Sequence, residues 1–198
     1  MSNPQSQAGT DKMIKYDLYK LMKDELGNGS KDLVTRPSGQ IIRERIERDL
    51  EKEPDRAVIA LDFTKIGVID YSCADEIISK LVSRLLSGEY KDRYLILYGL
   101  NENQRENIEV ALERKGLAVM AEMKQGRRVV LGSLNNYLKD TLNLITRRKQ
   151  MTSKDLSDVR QLEANTSGTR LLNLAKKRLV KRIERVRSDG AVWVYESL

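Results

Sequence analysis

Histidine is missing from this 198-residue sequence, and cysteine occurs only once, at Cys73. Without histidine the chain cannot build a Ser-His-Asp or Cys-His nucleophile, and one cysteine is too few for a zinc site made of cysteine and histidine. A disulfide within the chain is impossible, which predicts a cytoplasmic protein. An aspartate-based phosphotransferase or hydrolase is the enzyme class that remains, but the sequence has no phosphate-binding loop. We therefore expect a protein that is not an enzyme and that uses no metal and no cofactor.

Long apolar runs are also absent, since no segment approaches the ~20 residues that span a bilayer. Residues 1–12 are mostly polar and lack the basic and apolar regions of a signal peptide. We expect them to form a disordered leader, and we expect no membrane partner. Hydrophobic residues make up 40% of the sequence and charged residues 33%, which is typical of a globular, helix-rich protein.

The excess of positive over negative charge is confined to one end of the sequence. Residues 1–146 contain 23 Lys and Arg and 23 Asp and Glu, whereas residues 147–198 contain 13 basic and 6 acidic residues. The whole net charge of +7 therefore comes from the last part of the chain. A neutral body followed by a basic segment predicts two modules, of which the second either binds a polyanion such as nucleic acid or is a solvated basic face.

Apolar periodicity predicts an α/β body over residues 13–148, with a mixed sheet packed with helices. Strands are indicated at residues 13–18, 57–61, 93–98, 117–123 and 127–131. Helices are indicated from Ser38, the expected N-cap, towards Pro54, and at residues 74–87, 101–115 and 134–148. Residues 19–26 fit either a strand or a helix.

The most informative segment follows the second predicted strand. That strand ends at Asp62, and Asp70 and Ser72 come shortly before a strongly apolar helix. The segment resembles the STAS family, the sulphate-transporter and anti-sigma-factor-antagonist domains, in which a strand ending in Asp leads to an Asp-x-Ser helix start. It is closer still to STAS-like domains of unknown function, whose pattern is an Asp-Phe pair, a Ser-Phe-Ala-Asp-Glu run and an upstream Thr-Arg-Pro-Ser-Gly stretch. Here these are Asp62-Phe63, Ser72-Cys73-Ala74-Asp75-Glu76 and Thr35-Arg36-Pro37-Ser38-Gly39, with Cys73 in place of the usual phenylalanine.

The resemblance implies that Ser72 takes the position of the serine that is phosphorylated in bacterial antagonists. The candidate phosphorylation or partner-docking residues are therefore Ser72, Asp70, Asp62 and Asp75. A phosphate at this helix start would gain from the helix dipole, but it would lie among like charges. The alternative is purely structural: Asp70 or Ser72 caps the helix and Asp75 or Glu76 completes a capping box. A Mg²⁺ site at Asp62 and Asp70 is a weaker possibility than capping.

Residues 149–198 predict a small basic module. A short helix capped by Thr152 or Ser153 is followed by a break at residues 165–168, a longer helix from Thr169, and a hairpin around Ser188-Asp189-Gly190. This order resembles a winged helix-turn-helix whose first helix is residues 134–148, with a longer turn than the tight form of the motif has. Trp193 would belong to the wing. The predicted DNA contacts are Thr169, Arg170, Asn173, Lys176, Lys177, Lys181, Arg185 and Arg187.

Together these features predict a cytoplasmic regulator in which a STAS-like domain receives a signal and a winged helix binds DNA, with a homodimer suited to a palindromic site. The alternative is a partner-switching protein of the antagonist type, regulated by a kinase or a regulatory protein at Ser72. In that case the basic segment would dock an acidic protein.

Overall fold

The computed structural model describes residues 13–27, 29–187 and 190–198, with the exception of the Arg187 side chain. The predicted leader lies outside these residues, and so do Ser188 and Asp189 of the predicted hairpin turn. The protein is α/β, as the periodicity predicted. The elements of its body are β1 (Met13–Asp17), α1 (Leu18–Leu26), α2 (Arg36–Leu50), β2 (Val58–Asp62), α3 (Tyr71–Ala74), a π-helical turn (Asp75–Ser79), α4 (Lys80–Ser87), β3 (Tyr94–Leu100), α5 (Glu102–Glu113), β4 (Ala118–Met123) and β5 (Arg128–Gly132).

The five body strands form one sheet in the order β1-β2-β3-β4-β5. The first four strands are parallel, and β5 pairs antiparallel with β4. Strands β2 and β3 lie inside the sheet and are buried along almost their whole length. Their near-continuous apolar sequences are those of parallel strands covered on both faces.

One face of the sheet packs against the body helices. Alternate residues of the strands, such as Ile59 and Leu97, lie in a cluster with Ile42 of α2 and Ile77 of the π-helical turn. The period of two along a strand places these residues on the same face. Helices α1 to α5 therefore form one layer over the sheet.

The other face of the sheet is covered by the C-terminal elements. These are α6 (Asn136–Arg148), β6 (Gln150–Thr152), α7 (Ser153–Arg160), α8 (Ala164–Lys176), β7 (Val180–Arg187) and β8 (Gly190–Ser197). Val58, Tyr94 and Ile96 of the sheet share a buried cluster with Leu138 of α6 and Leu174 of α8. The second module is therefore packed onto the body through its own hydrophobic core.

The three C-terminal strands form an antiparallel sheet in the order β6-β8-β7. Helix α6 contacts β6, β8 and α8, and α7 contacts α8. Helix α6, which the sequence analysis assigned to the body over residues 13–148, thus packs with the C-terminal elements. The short strand β6, which the sequence analysis did not predict, pairs with β8, the final strand of the module.

Two sequence predictions about helix ends are wrong. Helix α2 begins at Arg36 with Thr35 as the N-cap residue, because Pro37 is tolerated in the first turn of a helix. Helix α8 begins at Ala164, and the predicted break at residues 165–168 lies inside it. Only residues 161–163 connect α7 to α8, so the turn between them is short, as in the tight form of a helix-turn-helix.

None of the described helices is both long enough and apolar enough to cross a membrane.

Candidate functional site

Asp62 lies where β2 ends, beside the end of β1. Its carboxylate accepts hydrogen bonds from Thr64 and forms an ion pair with Lys15 at 2.9 Å. Burial alone would raise the pKa of Asp62, but the hydrogen bonds from Thr64 and the charge of Lys15 lower it below its usual value. Asp62 is therefore an ionised, paired residue whose partners differ from those of Asp70.

Asp70 is the N-cap of α3, which confirms the capping alternative for this residue. Its Oδ1 accepts hydrogen bonds from the Cys73 amide at 2.7 Å and from the Ser72 hydroxyl at 2.9 Å, and the Thr35 amide donates to Oδ2 at 3.3 Å. Burial would raise the pKa of Asp70, but these donors together lower it. Asp62 and Asp70 each have their own donors, which argues against a shared Mg²⁺ site, and no group of acids suited to a metal occurs in the described part of the chain.

The two motifs that carry the STAS-like resemblance pack directly against each other. Arg36 reaches Asp75 at 3.1 Å and Glu76 at 3.0 Å, and the Cys73 thiol donates to the Thr35 carbonyl at 2.9 Å. A Cβ at Gly39 would lie 3.1 Å from the Glu76 Cβ, so this close approach of α2 to the π-helical turn favours glycine. The motifs thus form one packed unit of the body.

Asp75 and Glu76 lie in a buried network of ion pairs rather than in a capping box. Glu76 is 2% exposed and pairs with Arg36, with Arg43 at 3.4 Å and with Lys80 at 2.6 Å. Lys115 pairs with Asp75 at 2.5 Å. Both acids are therefore held in fixed positions by cations from α2, α4 and the segment after α5. Asp75, predicted as a docking residue, is almost fully buried and offers little surface to a partner.

Cys73 is fully buried, as expected for a small apolar residue. Burial, with the nearby Asp70 carboxylate, raises the pKa of its thiol to about 12. The thiol is therefore protonated at neutral pH and unreactive.

Substitution of Ser72 by Asp is expected to destabilise the protein more than substitution by Ala does. Ser72→Ala removes one hydrogen bond, which is worth about 1 kcal/mol, whereas Ser72→Asp also places a second carboxylate beside Asp70. We expect a loss of about 2 kcal/mol for Ser72→Asp, and urea unfolding at pH 7 measures both values. Equal midpoints for the two variants would show that a negative charge at this position has no effect on the cap of α3.

Three of the predicted DNA contacts lie together on one face of α8. Thr169 is exposed, and Arg170 and Asn173 are half-buried; all three line a cleft of about 370 Å³ with Tyr137 of α6. The Arg170 guanidinium lies over the Tyr137 ring at 5.1 Å from its centroid. Stacking on this ring restricts the Arg170 side chain without neutralising its charge.

The structure places the other predicted contacts elsewhere. Lys176 is exposed at the end of α8, but Lys177 is half-buried beside Leu85 and Leu95 of the body. Lys181 is only 4% exposed, with its Nζ 5.9 Å from the centroid of the Tyr94 ring. Since the module packs against the body at Lys181, the burial of this side chain does not support its prediction as a DNA contact.

The two remaining predicted contacts belong to β7. Arg185 is exposed and forms an ion pair with Glu196 of β8, so part of its charge is already compensated. Arg187 ends β7, and its side chain lies outside the described residues. The hairpin therefore adds less positive surface than its sequence suggested.

Sequence reasoning missed three residues that line the α8 cleft, namely Asn165, Thr166 and Tyr137. The first two were assigned to a break in the chain. Asn165 and Thr166 have helical spacing to Thr169 and Asn173, on the face of α8 opposite the buried Leu171 and Leu174. This pattern could have revealed the longer helix. Tyr137 lies on α6 and only the tertiary structure brings it to α8.

No family model matches the sequence, and no curated protein matches it either. The STAS-like and winged helix-turn-helix resemblances therefore depend on the motifs and on the arrangement described above.

Proposed function

We propose that this protein is a cytoplasmic transcription regulator whose C-terminal module binds double-stranded DNA as a winged helix, with α8 as the recognition helix. The observation that carries the proposal is the order of elements α6-β6-α7-α8-β7-β8 together with the sheet order β6-β8-β7. A helix-turn-helix places its second helix in the major groove, and the hairpin that follows it here is in the position of a wing.

The side chains on the exposed face of α8 support DNA as the ligand. Arginine can donate two hydrogen bonds to guanine, asparagine pairs in the same way with adenine, and threonine contacts the thymine methyl group or a phosphate. Arg170, Asn173 and Thr169 provide these three kinds of contact, and all three line one cleft. The excess of positive charge in residues 147–198 supplies the sequence-independent attraction to phosphates.

The body is proposed to receive the signal that DNA binding responds to. Arg178, just after the end of α8, contacts the body. Its guanidinium donates to Asp92 at 2.6 Å and to the Lys91 carbonyl at 2.8 Å. The two modules also share the buried cluster beneath the sheet. A change in the body can therefore alter the position of α8 without a flexible linker between them.

Substitution of Arg170 by Gln in the full chain is expected to weaken duplex binding about tenfold or more, because a hydrogen bond to a charged group is worth about 1.5–3 kcal/mol. The measurement is fluorescence anisotropy with a labelled duplex of random sequence and with a selected target sequence, each over a salt series. If Arg170 contacts a phosphate, the slope of log K against log salt becomes about 0.9 smaller. If it contacts a base, the slope is unchanged and the loss appears only on a selected target sequence.

A matched control is Lys52→Gln in the body, which removes the same charge from a side chain that is 74% exposed. It should leave duplex binding unchanged. Point variants are preferable to truncation after Arg148, because removing residues 149–198 would take Leu171 and Leu174 of α8 out of the buried cluster that contains Tyr94 and Ile96. Equal binding by the parent protein, Arg170→Gln and Asn173→Ala, both to the random duplex and to a selected target sequence, would contradict the proposed role of α8.

A second candidate function is partner switching at Ser72, near the start of α3, and one observation favours it. Val34 and Val68 are 44% and 41% exposed in the two segments that meet beside Asp70, where the Leu33 amide donates to the Val68 carbonyl at 2.8 Å. Two exposed valines next to a serine are suited to a partner protein that the serine controls. The test is capture of proteins from a cell extract by Ser72→Asp and Ser72→Ala chains, and identical sets would contradict this function.

A further inference from the structure

A second cleft, of about 400 Å³, lies between the body and the C-terminal module. The body contributes Arg56 and Asp92, at the edge of the sheet where β2 and β3 begin. The C-terminal module contributes Lys176, Arg178, Arg182 and Trp193. Its volume falls within the range of small-molecule sites, about 300–1,000 Å³. This interface cleft is distinct from the α8 cleft that contains Arg170.

The interface cleft has an unbalanced positive charge. Of its charged groups, Arg178 and Asp92 neutralise each other. Within the described parts of the chain, Arg56, Lys176 and Arg182 have no carboxylate within ion-pair distance. Three uncompensated cations around one concave surface are arranged for an anion with more than one charged oxygen, such as a phosphate.

An aromatic ring stands beside these cations. The Arg182 guanidinium lies 3.7 Å from the centroid of the Trp193 ring, and Trp193 is 40% exposed although it is the largest apolar side chain in the module. Among the described residues, nothing accepts a hydrogen bond from the buried Arg182 Nε. Since the Arg182 Nε is itself buried, the accessible part of this pair is the exposed indole, on which a planar ring can stack.

We propose that the interface cleft binds a free nucleoside phosphate, with its phosphate at Arg56 and Lys176 and its base stacked at Trp193 and Arg182. Duplex DNA fits this chemistry less well, because its bases are paired and stacked inside the helix and only its phosphates could reach the cleft. The proposal does not depend on DNA binding by α8. Since both modules line the cleft, the bound nucleotide stabilises their packing against each other.

Trp193 is the only tryptophan in the chain, so its fluorescence reports directly on the cleft. The experiment titrates the full chain with AMP, GMP, CMP and UMP, and in parallel with adenosine and with ribose 5-phosphate. We expect a saturable change in Trp193 fluorescence with at least one nucleotide. Adenosine, which lacks the phosphate, and ribose 5-phosphate, which lacks the base, should each bind at least tenfold more weakly. Isothermal titration calorimetry gives the same affinities without an optical signal.

Arg56→Gln is expected to weaken the nucleotide about tenfold, as the loss of a charge-assisted hydrogen bond requires. The exposed Arg56 side chain makes no ion pair within the described residues, so this variant should fold normally. Lys124→Gln, in the exposed turn at the opposite end of the sheet, is the matched control and should bind as the parent does.

The absence of saturable binding for all four nucleotides would overturn the proposal, and so would equal affinities for the parent and Arg56→Gln. A change in Trp193 fluorescence with a DNA duplex but with no nucleotide would also overturn it, since the cleft would then belong to the DNA interface. Nucleotide binding without any duplex binding would support this inference and contradict the function proposed for α8.

Discussion

Substitution of Glu76 by Gln is expected to lower the free energy of unfolding by about 3 kcal/mol. Breaking a buried ion pair by removing one partner costs about 3–5 kcal/mol, because the other charge stays buried without compensation. The low end of that range applies because two of the cations retain another ion pair in the variant. Arg43 still pairs with Glu47 at 2.7 Å, and Arg36 still pairs with Asp75 at 3.1 Å. Chemical denaturation of the full chain at pH 7 measures this loss.

The destabilisation by Glu76→Gln should depend on pH in a defined direction. Burial alone would raise the pKa of Glu76, but the Lys80 ammonium, Arg36 and Arg43 together lower it below the ordinary glutamate value of 4.5. A carboxyl whose pKa is lower in the folded state stabilises the protein above its unfolded-state pKa, and this contribution disappears as the pH falls through the folded-state pKa. The difference in stability between parent and variant should therefore shrink below pH 4.5.

The matched control is Glu44→Gln, which makes the same chemical change next to the same arginine. Glu44 lies 3.7 Å from Arg43, but its side chain is 46% exposed. Exposed ion pairs contribute about 0–1 kcal/mol, so this variant should be almost as stable as the parent. Similar losses for Glu44→Gln and Glu76→Gln would show that burial of the network has no energetic consequence.

Substitution of Leu174 by Ala is expected to destabilise the whole protein by about 2–5 kcal/mol, the usual cost of a buried leucine truncated to alanine. Leu174 is fully buried in the cluster that joins α8 to Tyr94 and Ile96 of the sheet. Because the cluster belongs to both modules, we expect them to unfold together. Trp193 fluorescence follows the C-terminal module, and far-ultraviolet circular dichroism follows the whole chain, so the two signals should give the same lowered midpoint.

Val159→Ala on α7 is the control for Leu174→Ala, since Val159 is 39% exposed and the expected change is within about 0.5 kcal/mol. Two separate transitions, with only the fluorescence transition shifted by Leu174→Ala, would contradict the cooperative packing of the modules. In that case the C-terminal module would fold as an independent unit.

The strands and most helices of the body could be predicted from the sequence, because their apolar periodicity is strong. The buried run at residues 57–61 became β2, and the helical spacing from Ala74 to Leu85 became α3, the π-helical turn and α4. The predicted start of α2 failed because Ser38 looked like a better cap than Thr35, which holds a left-handed backbone at φ 76°. The Asp70 amide donates to the Leu33 carbonyl and the Asp70 carboxylate accepts from the Thr35 amide, and local sequence preferences cannot anticipate such contacts between distant segments.

The candidate sites were predictable only in part. Thr169, Arg170 and Asn173 lie together as their helical spacing indicated. Lys177 and Lys181 were predicted as DNA contacts because they lie in the basic segment, but both side chains lie where the C-terminal module packs against the body. Asp75 also looked like a surface acid, and it proved to be buried because four cations come from other elements to surround it together with Glu76.

The sequence by itself determined the α/β body, the confinement of excess positive charge to residues 147–198, and the succession of two helices and a hairpin at the C-terminal end, since periodicity, composition and capping residues act locally along the chain. Only the tertiary structure decided which charges remain accessible. Packing of the C-terminal module onto the second face of the sheet buried Lys181 and brought Arg56 and Trp193 to one cleft, whereas packing of α6 against α8 brought Tyr137 to Arg170. These are contacts between residues far apart in sequence, and they form because the apolar face of a parallel sheet must be covered.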